Sequence, residues 1–248
     1  MFGWAFTRGI SWLIDRARRI NSRLILALDV CRRSGVSPRD VRVAVENLLD
    51  GLRDYVVGVK IGLPTILSLG MDSIREILEC YRDYYFIADL KIADVGHIVR
   101  TLCSYADYMG FDAVIVHAVI GRCGGLDEAV NEVHSRGGAV FSVCAMSHRG
   151  AEEVLNRNFS TLVKLSMDAG VDGFILPATM PEYITRARRI IGGSKIILSP
   201  GVIAQGASIG SAIKYGADFE IIGRGIYAAS NPIEKAREYS QKLKWYSG

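Results

Sequence analysis

The sequence predicts a single α/β domain of the (β/α)8 barrel class, a TIM barrel, with one extra N-terminal helix. Three observations lead there. Eight short apolar runs bounded by turn residues recur along the 248 residues, and segments with helical spacing separate them. Three of the runs open on similar wording, GFDAVIV at 110, GVDGFIL at 170 and GADFEII at 216, which marks one αβ unit used repeatedly. The first run leads into LALDVCRRSG, which lacks the glycine fingerprint that a doubly wound sheet places after its first strand, so eight units close most economically into a barrel.

Residues 1 to 23 read as an amphipathic helical extension, and residues 24 to 248 as one barrel domain. The extension carries Arg8, Arg16, Arg18, Arg19 and Arg23 against Asp15, which accounts for the whole formal charge of +4. Its apolar run is broken by Arg8 and its basic cluster follows the run, the reverse of a signal peptide. A cover for the bottom of the barrel and an added dimer contact are both open to it. The strands then follow as LILALD (24 to 29), YVVGVKIG (55 to 62), YYFIADLK (84 to 91), DAVIVHA (112 to 118), AVFSVCAM (139 to 146), DGFILPA (172 to 178), KIILSPG (195 to 201) and DFEIIGRG (218 to 225). Helical spacing fills Asp40 to Leu49, Asp72 to Cys80, Ile98 to Met109, Leu126 to His134 and Ile233 to Leu243. In the repeated unit the glycine suits the left-handed position that ends a helix, the aspartate sits in the turn, and the strand is buried on both faces.

Composition narrows the function classes. Half of the residues are apolar and 23% are charged, as in an ordinary globular protein. Beyond residue 23 the chain is neutral, so the cationic footprint of a nucleic-acid binder is missing. No stretch approaches the roughly 20 apolar residues of a membrane span. Five cysteines without any C-x-x-C pair fit neither a disulfide framework nor a zinc site and point to a reducing, cytoplasmic home. His97, His117, His134 and His148 show no metal-ligand spacing and read as structural or surface residues, so a zinc site is not indicated. There is no Walker loop and no nucleophile elbow, so covalent catalysis is not indicated.

In a barrel of this class chemistry collects at the C-terminal ends of the strands. Asp29 closes strand one, Lys60 lies near the end of strand two, Asp89 and Lys91 close strand three, and Asp94 follows in the loop. Ionised groups this close are costly unless they neutralise one another. Positions 89 and 91 are two apart, so both side chains leave one face of a strand toward the barrel mouth. A carboxylate about 4 Å from an ammonium contributes on the order of 4 kcal/mol at an effective dielectric near 20. Lys91 is thereby fixed as a cation that can deliver a proton to carbon. The bland reading is an ion-pair network that only closes the rim.

Two glycine-bearing loops, LSPGVIAQGAS (198 to 208) and EIIGRGIYAAS (220 to 230), follow strands seven and eight, where such barrels frequently bind phosphate. Arg224 adds a bidentate cation and Gln205 an amide donor. GRGIYA also fits G-x-G-x-x-A of a dinucleotide site, but no further strand and acidic ribose ligand follow. A phosphorylated small molecule is the better reading.

Asp29, VKIG (59 to 62), ADLKIAD (88 to 94), MSH (146 to 148), SPGVIAQG (199 to 206) and GRGIY (223 to 227) together resemble the orotidine 5'-phosphate decarboxylases in their short archaeal form, from about residue 24 to the C-terminus. The resemblance implies decarboxylation of orotidine 5'-monophosphate to uridine 5'-monophosphate, the last step of de novo pyrimidine nucleotide synthesis, without metal or organic cofactor, by a homodimer with sites at its interface. By position Lys91 would protonate carbon six of the pyrimidine and Asp89 would lie against the substrate carboxylate. Lys60, Asp89, Lys91 and the neighbouring subunit's Asp94 would form an alternating charge array, with Asp29 and Lys60 also holding ribose hydroxyls. Ser147 would read the pyrimidine edge. Gln205, Gly223, Arg224 and Tyr227 would hold the phosphate, and Val95, Ile98 and Pro200 complete the implied binding set. The chain departs from the family pattern at Gly96, at Arg149 and at Ile98, where the usual threonine would bond the partner's ribose.

Two alternatives stand beside this reading. One is a magnesium-dependent sugar-phosphate lyase or decarboxylase of the same superfamily, of the hexulose-phosphate synthase or ketogulonate-phosphate decarboxylase type. The D-x-K-x-x-D pattern alone does not exclude it, but the family resemblance does discriminate, since the metal-using relatives carry an acidic residue where Lys60 stands. The other is a barrel that binds a nucleotide without catalysis.

Overall fold

A computed structural model of the chain describes residues 8–31 and 36–246. Helix α1 (Ile10–Ile20) precedes β1 (Leu24–Leu28), which is followed by α2 (Pro38–Leu52) and β2 (Gly58–Gly62). Two short helices, α3 (Leu63–Leu69) and α4 (Met71–Cys80), lead to β3 (Tyr85–Ile92), and α5 (Gly96–Tyr108) to β4 (Ala113–His117). Then come α6 (Asp127–His134), β5 (Ala139–Val143), α7 (Phe159–Ala169), β6 (Gly173–Ile175), α8 (Pro181–Ile191) and β7 (Ile196–Pro200). The chain ends with α9 (Ser211–Lys214), β8 (Phe219–Ile222), α10 (Arg224–Tyr227) and α11 (Pro232–Lys242). All eight strands pair in parallel in chain order and β8 closes on β1. The expected (β/α)8 barrel is therefore the observed fold. Every residue of β1, β2, β5, β6 and β8 is buried, which is why these strands read as unbroken apolar runs with no alternation.

The repeated glycine-aspartate pair has a physical reason beyond turn formation. Gly110, Gly170 and Gly216 sit at φ +86°, +87° and +108°, a region that side chains other than glycine rarely enter. The aspartate two residues on then does the same work three times. Asp112 accepts from the Phe86 amide, Asp172 from the Val140 amide and Asp218 from the Ile197 amide, each at 2.8 Å. Each carboxylate thus ties the start of its own strand to the preceding one, and each has a cationic or imidazole partner: Arg8, His134 and Arg188 respectively. Asp112 is fully buried, and burial raises its pKa despite the Arg8 contact.

Helix α1 lies across this strand-start face. Leu13 and Ala17 are fully buried, Trp12 stacks on Tyr85 with centroids 6.2 Å apart, and the buried Arg16 guanidinium donates to the Arg53 carbonyl at 2.8 Å. Arg8 grips Asp112 at 2.7 Å and the carbonyls of Arg82 and Tyr84. These contacts describe a cover over the barrel floor; residues 1–7 of the expected extension lie outside the described residues. The C-terminal segment joins it there: the Arg23 amide donates to the Leu243 carbonyl at 2.7 Å and the Tyr246 amide to Asn21 Oδ1 at 2.9 Å. Among the described residues no helix is long and apolar enough to cross a membrane.

Candidate active site

At the opposite end, the strand termini enclose a cavity of about 350 Å³. Apolar side chains from the strands, Ala27, Ile115, Val143, Ile175 and Ile221, line it, and the charges Asp29, Lys60, Asp89 and Lys91 come from the ends of the neighbouring strands β1, β2 and β3. Lys60 and Asp89 are 6% and 7% exposed, and Lys60 Nζ donates to Asp89 Oδ2 at 2.5 Å. Lys91 Nζ donates to the other oxygen, Oδ1, at 2.7 Å. Asp29 Oδ1 lies 3.6 Å from Lys60 Nζ. One carboxylate is therefore shared by two ammonium groups, and a second carboxylate flanks the array. Burial alone would raise the pKa of Asp89, but Lys60 and then Lys91 outweigh it and hold the carboxyl below its usual range. Gly62 leaves room for this arrangement, since a Cβ there would come within 2.0 Å of Asp29 Oδ1.

Residues 89 and 91 meet by a different route from regular strand alternation. The pairing of β3 with β4 slips between Ala88 and Ile92, and Lys91 itself adopts φ +45°. A left-handed lysine costs roughly 1–2 kcal/mol. Such strain concentrates at functional positions and persists where surrounding contacts enforce it, here the bond to Asp89.

The remaining expected residues divide by location. Ser147, Pro200, Gln205, Gly223, Arg224 and Tyr227 line the same cavity as the charge array. Ser147 Oγ donates to Gln205 Oε1 at 2.9 Å, joining the loop after β5 to the loop after β7. Arg224 and Tyr227 stand on the short helix α10 directly after β8. Asp94, Val95 and Ile98 do not line this cavity. Asp94 and Val95 are exposed, Ile98 is half-buried, and Asp94 Oδ1 accepts from the Val95 amide at 2.7 Å at the start of α5.

Two features escaped the sequence reading. His117, read there as structural or surface, ends β4 with its Nδ1 buried and without a hydrogen-bond partner. Burial first, then the Lys91 cation, push its pKa below the usual imidazole value, with Asp89 opposing. Glu220, buried in β8, accepts from the amides of Gly210 and Ala212. Its signal was a lone acid inside the apolar run FEII.

Closed barrel, strand-end charges and the paired loops after β7 and β8 define an enzyme of the (β/α)8 class with its site at the C-terminal mouth. Residues 22–239 match the model of the orotidine 5'-phosphate decarboxylase / HUMPS family, and the chain belongs to that family. It is 38% identical over 224 residues to the orotidine 5'-phosphate decarboxylase of Methanosarcina mazei, covering 90% of this chain and 96% of that protein. With the Pyrococcus abyssi enzyme of the same name it shares 36% identity over 221 residues, 89% of this chain and 99% of that one. Among solved structures, orotidine 5'-monophosphate decarboxylase from Sulfolobus solfataricus superposes with a TM-score of 0.77 at 31% identity, covering 90% of this chain and 97% of that one. The Methanocaldococcus jannaschii enzyme complexed with the inhibitor BMP gives 0.75 at 29%, covering 90% and 98%.

Proposed function

We propose that the chain decarboxylates orotidine 5'-monophosphate to uridine 5'-monophosphate in pyrimidine nucleotide synthesis. The observation that carries this reading is the Lys60–Asp89–Lys91 array, fixed within 2.7 Å contacts in the lining of a cavity that Gln205, Arg224 and Tyr227 also line. Breaking the bond between carbon six and the carboxylate releases carbon dioxide and leaves the electron pair on the ring carbon. A preorganised ammonium stabilises that charge and then quenches it by giving up a proton. Lys91 fills this role, and water restores its proton afterwards. Asp89 holds the ammonium in place and sets a negative charge beside the leaving carboxylate. Arg224, Gln205, Tyr227 and Gly223 grip the phosphate, with Pro200 beside them, while Asp29 and Lys60 hold the ribose and Ser147 the pyrimidine edge. Phosphate binding energy, spent far from the reacting bond, lowers the barrier by holding the ring in place.

The outward placement of Asp94, Val95 and Ile98 supports a homodimer in which these residues complete the partner's cavity, and the five free cysteines suit a cytoplasmic home. Among superfamily chemistries, the decarboxylation is favoured by Lys60. Its ammonium lies 2.5 Å from Asp89 and 3.6 Å from Asp29, so it is itself the cation these carboxylates share. The test is direct: add orotidine 5'-monophosphate to chelator-treated protein and follow the loss of its ultraviolet absorbance, then repeat with Lys91→Ala. Turnover in the first and collapse in the second is expected. A chelator-sensitive activity, or none, would overturn the reading.

A further inference from the structure

The two halves of the phosphate grip sit on separate stretches of chain. Gln205 belongs to the loop 201–210 after β7, while Arg224 and Tyr227 belong to α10 after β8. The loop is a strained structure. Ile203 is held at φ +65°, a conformation that costs a side-chain-bearing residue about 1–2 kcal/mol. Within it the Ile203 amide donates to the Ala207 carbonyl at 2.8 Å, and Val202 bridges Ala207. Ile203 also lies over Gly225 of α10, where a Cβ would come within 3.2 Å of its Cγ2. The far end of the loop, at Gly210, needs an anchor of its own, and Glu220 provides it.

Ile221 lines the cavity, so by alternation Glu220 points outward from β8 into the helix layer. There its Oε2 accepts from the Gly210 amide and its Oε1 from the Ala212 amide, both at 2.9 Å. The side chain is completely buried. An acid inside a strand is a costly choice that apolar residues would avoid, and this one spends both oxygens on the segment that ends the loop. Four residues later, on α10 directly after this strand, stands Arg224.

Resting on the proposed phosphate grip, we infer that Glu220 is a positioning residue that locks the Gln205 loop to the strand leading into Arg224, so that both halves of the grip present a fixed spacing to a phosphate monoester. Without the tie the loop still folds over the barrel but its end is free to shift. The cost falls on ligands that carry a phosphate and spares those that do not.

Calorimetric titration of wild-type, Glu220→Gln and Glu220→Ala proteins with uridine 5'-monophosphate and with uridine tests this. The glutamine keeps one acceptor and turns an amide donor toward the other backbone N–H. Uridine 5'-monophosphate binding is expected to weaken about three- to tenfold in Glu220→Gln and about tenfold or more in Glu220→Ala, on the scale of one or two lost charge-assisted hydrogen bonds. Uridine binding should stay within about twofold. Should Glu220→Ala fail to fold, Glu220→Gln, close in volume, decides alone. Equal weakening of both ligands, or no weakening of either, overturns the inference while the wild-type preference for the phosphorylated ligand still stands. A wild type that binds both alike would refute the phosphate grip itself.

Discussion

Replacing Asp89 by asparagine is the sharpest test of the charge array, because it removes one charge and almost no volume. Each carboxylate oxygen faces an ammonium, at 2.5 Å from Lys60 and 2.7 Å from Lys91. At an effective dielectric near 20 each contact has a gross attraction of about 6 kcal/mol, most of it offset by the cost of burying the ions. An asparagine can accept from one lysine but must turn its own donors toward the other; where that is Lys60 a buried cation loses its nearest counter-charge, whereas Lys91, 41% exposed, falls back on water. Breaking a buried pair in this way costs about 3–5 kcal/mol. Lys60 retains Asp29 at 3.6 Å, so the lower figure, about 3 kcal/mol, is expected in urea unfolding. Lys91 loses the contact that holds its left-handed backbone in place, and kcat/KM for orotidine 5'-monophosphate should fall at least about a thousandfold, some 4 kcal/mol of transition-state stabilisation. The phosphate side is untouched, so uridine 5'-monophosphate should bind within about threefold of wild type. Turnover within tenfold of wild type would show that the array does not operate as argued.

Further outcomes follow from the same geometry. The pKa of Asp89 is lowered, so the stability it contributes is complete above the ordinary aspartate range and disappears as pH falls through the lowered value; urea midpoints of Asp89→Asn should be flatter than wild type below about pH 4. For His134 the sign is opposite. Its bond to Asp172 at 2.7 Å raises the pKa against the effect of burial, so its contribution is present below the unfolded imidazole pKa and fades as pH climbs through the raised one. Proton NMR should find it titrating above about 6.5, and His134→Gln should remove its part of the stability loss over that rise. Arg224→Ala is expected to lower kcat as well as raise KM, since phosphate binding energy is used in the transition state; a change confined to KM would contradict that use. In the proposed homodimer, mixing inactive Lys91→Ala with inactive Asp94→Ala should restore about a quarter of wild-type activity, because half of the dimers would be hybrids and each hybrid would have one intact site. Mixtures that stay dead would place Asp94 outside the partner's site.

The barrel was legible because its strands are buried on both faces and its turns repeat a glycine and an aspartate with fixed jobs. Phe219 and Ile221 read as strand without any knowledge of what surrounds them. The charge array was legible too, since Asp29, Lys60, Asp89 and Lys91 fall at strand ends, where apolar residues would otherwise stand. What the pattern could not convey was the slip in β3. Spacing by two assumes an unbroken strand, whereas Lys91 reaches Asp89 through a left-handed backbone that no composition rule signals. His117 was passed over for a similar reason: a lone histidine carries no spacing, and only three dimensions reveal its unpartnered nitrogen beside the lysine. Helices α7 and α8 went unlocated in sequence, although Pro181 opens the second one at a favoured position. Glu220 was quoted within its strand and left unused, because a single acid in an apolar run has no meaning until the amides it serves are known.

Asn21 and Tyr246 are hydrogen-bonded neighbours on the barrel floor, remote from the mouth. Cargo appended beyond Tyr246, whether an affinity handle or a tether to a solid support, leaves from the underside and does not shadow the opening through which ligand arrives.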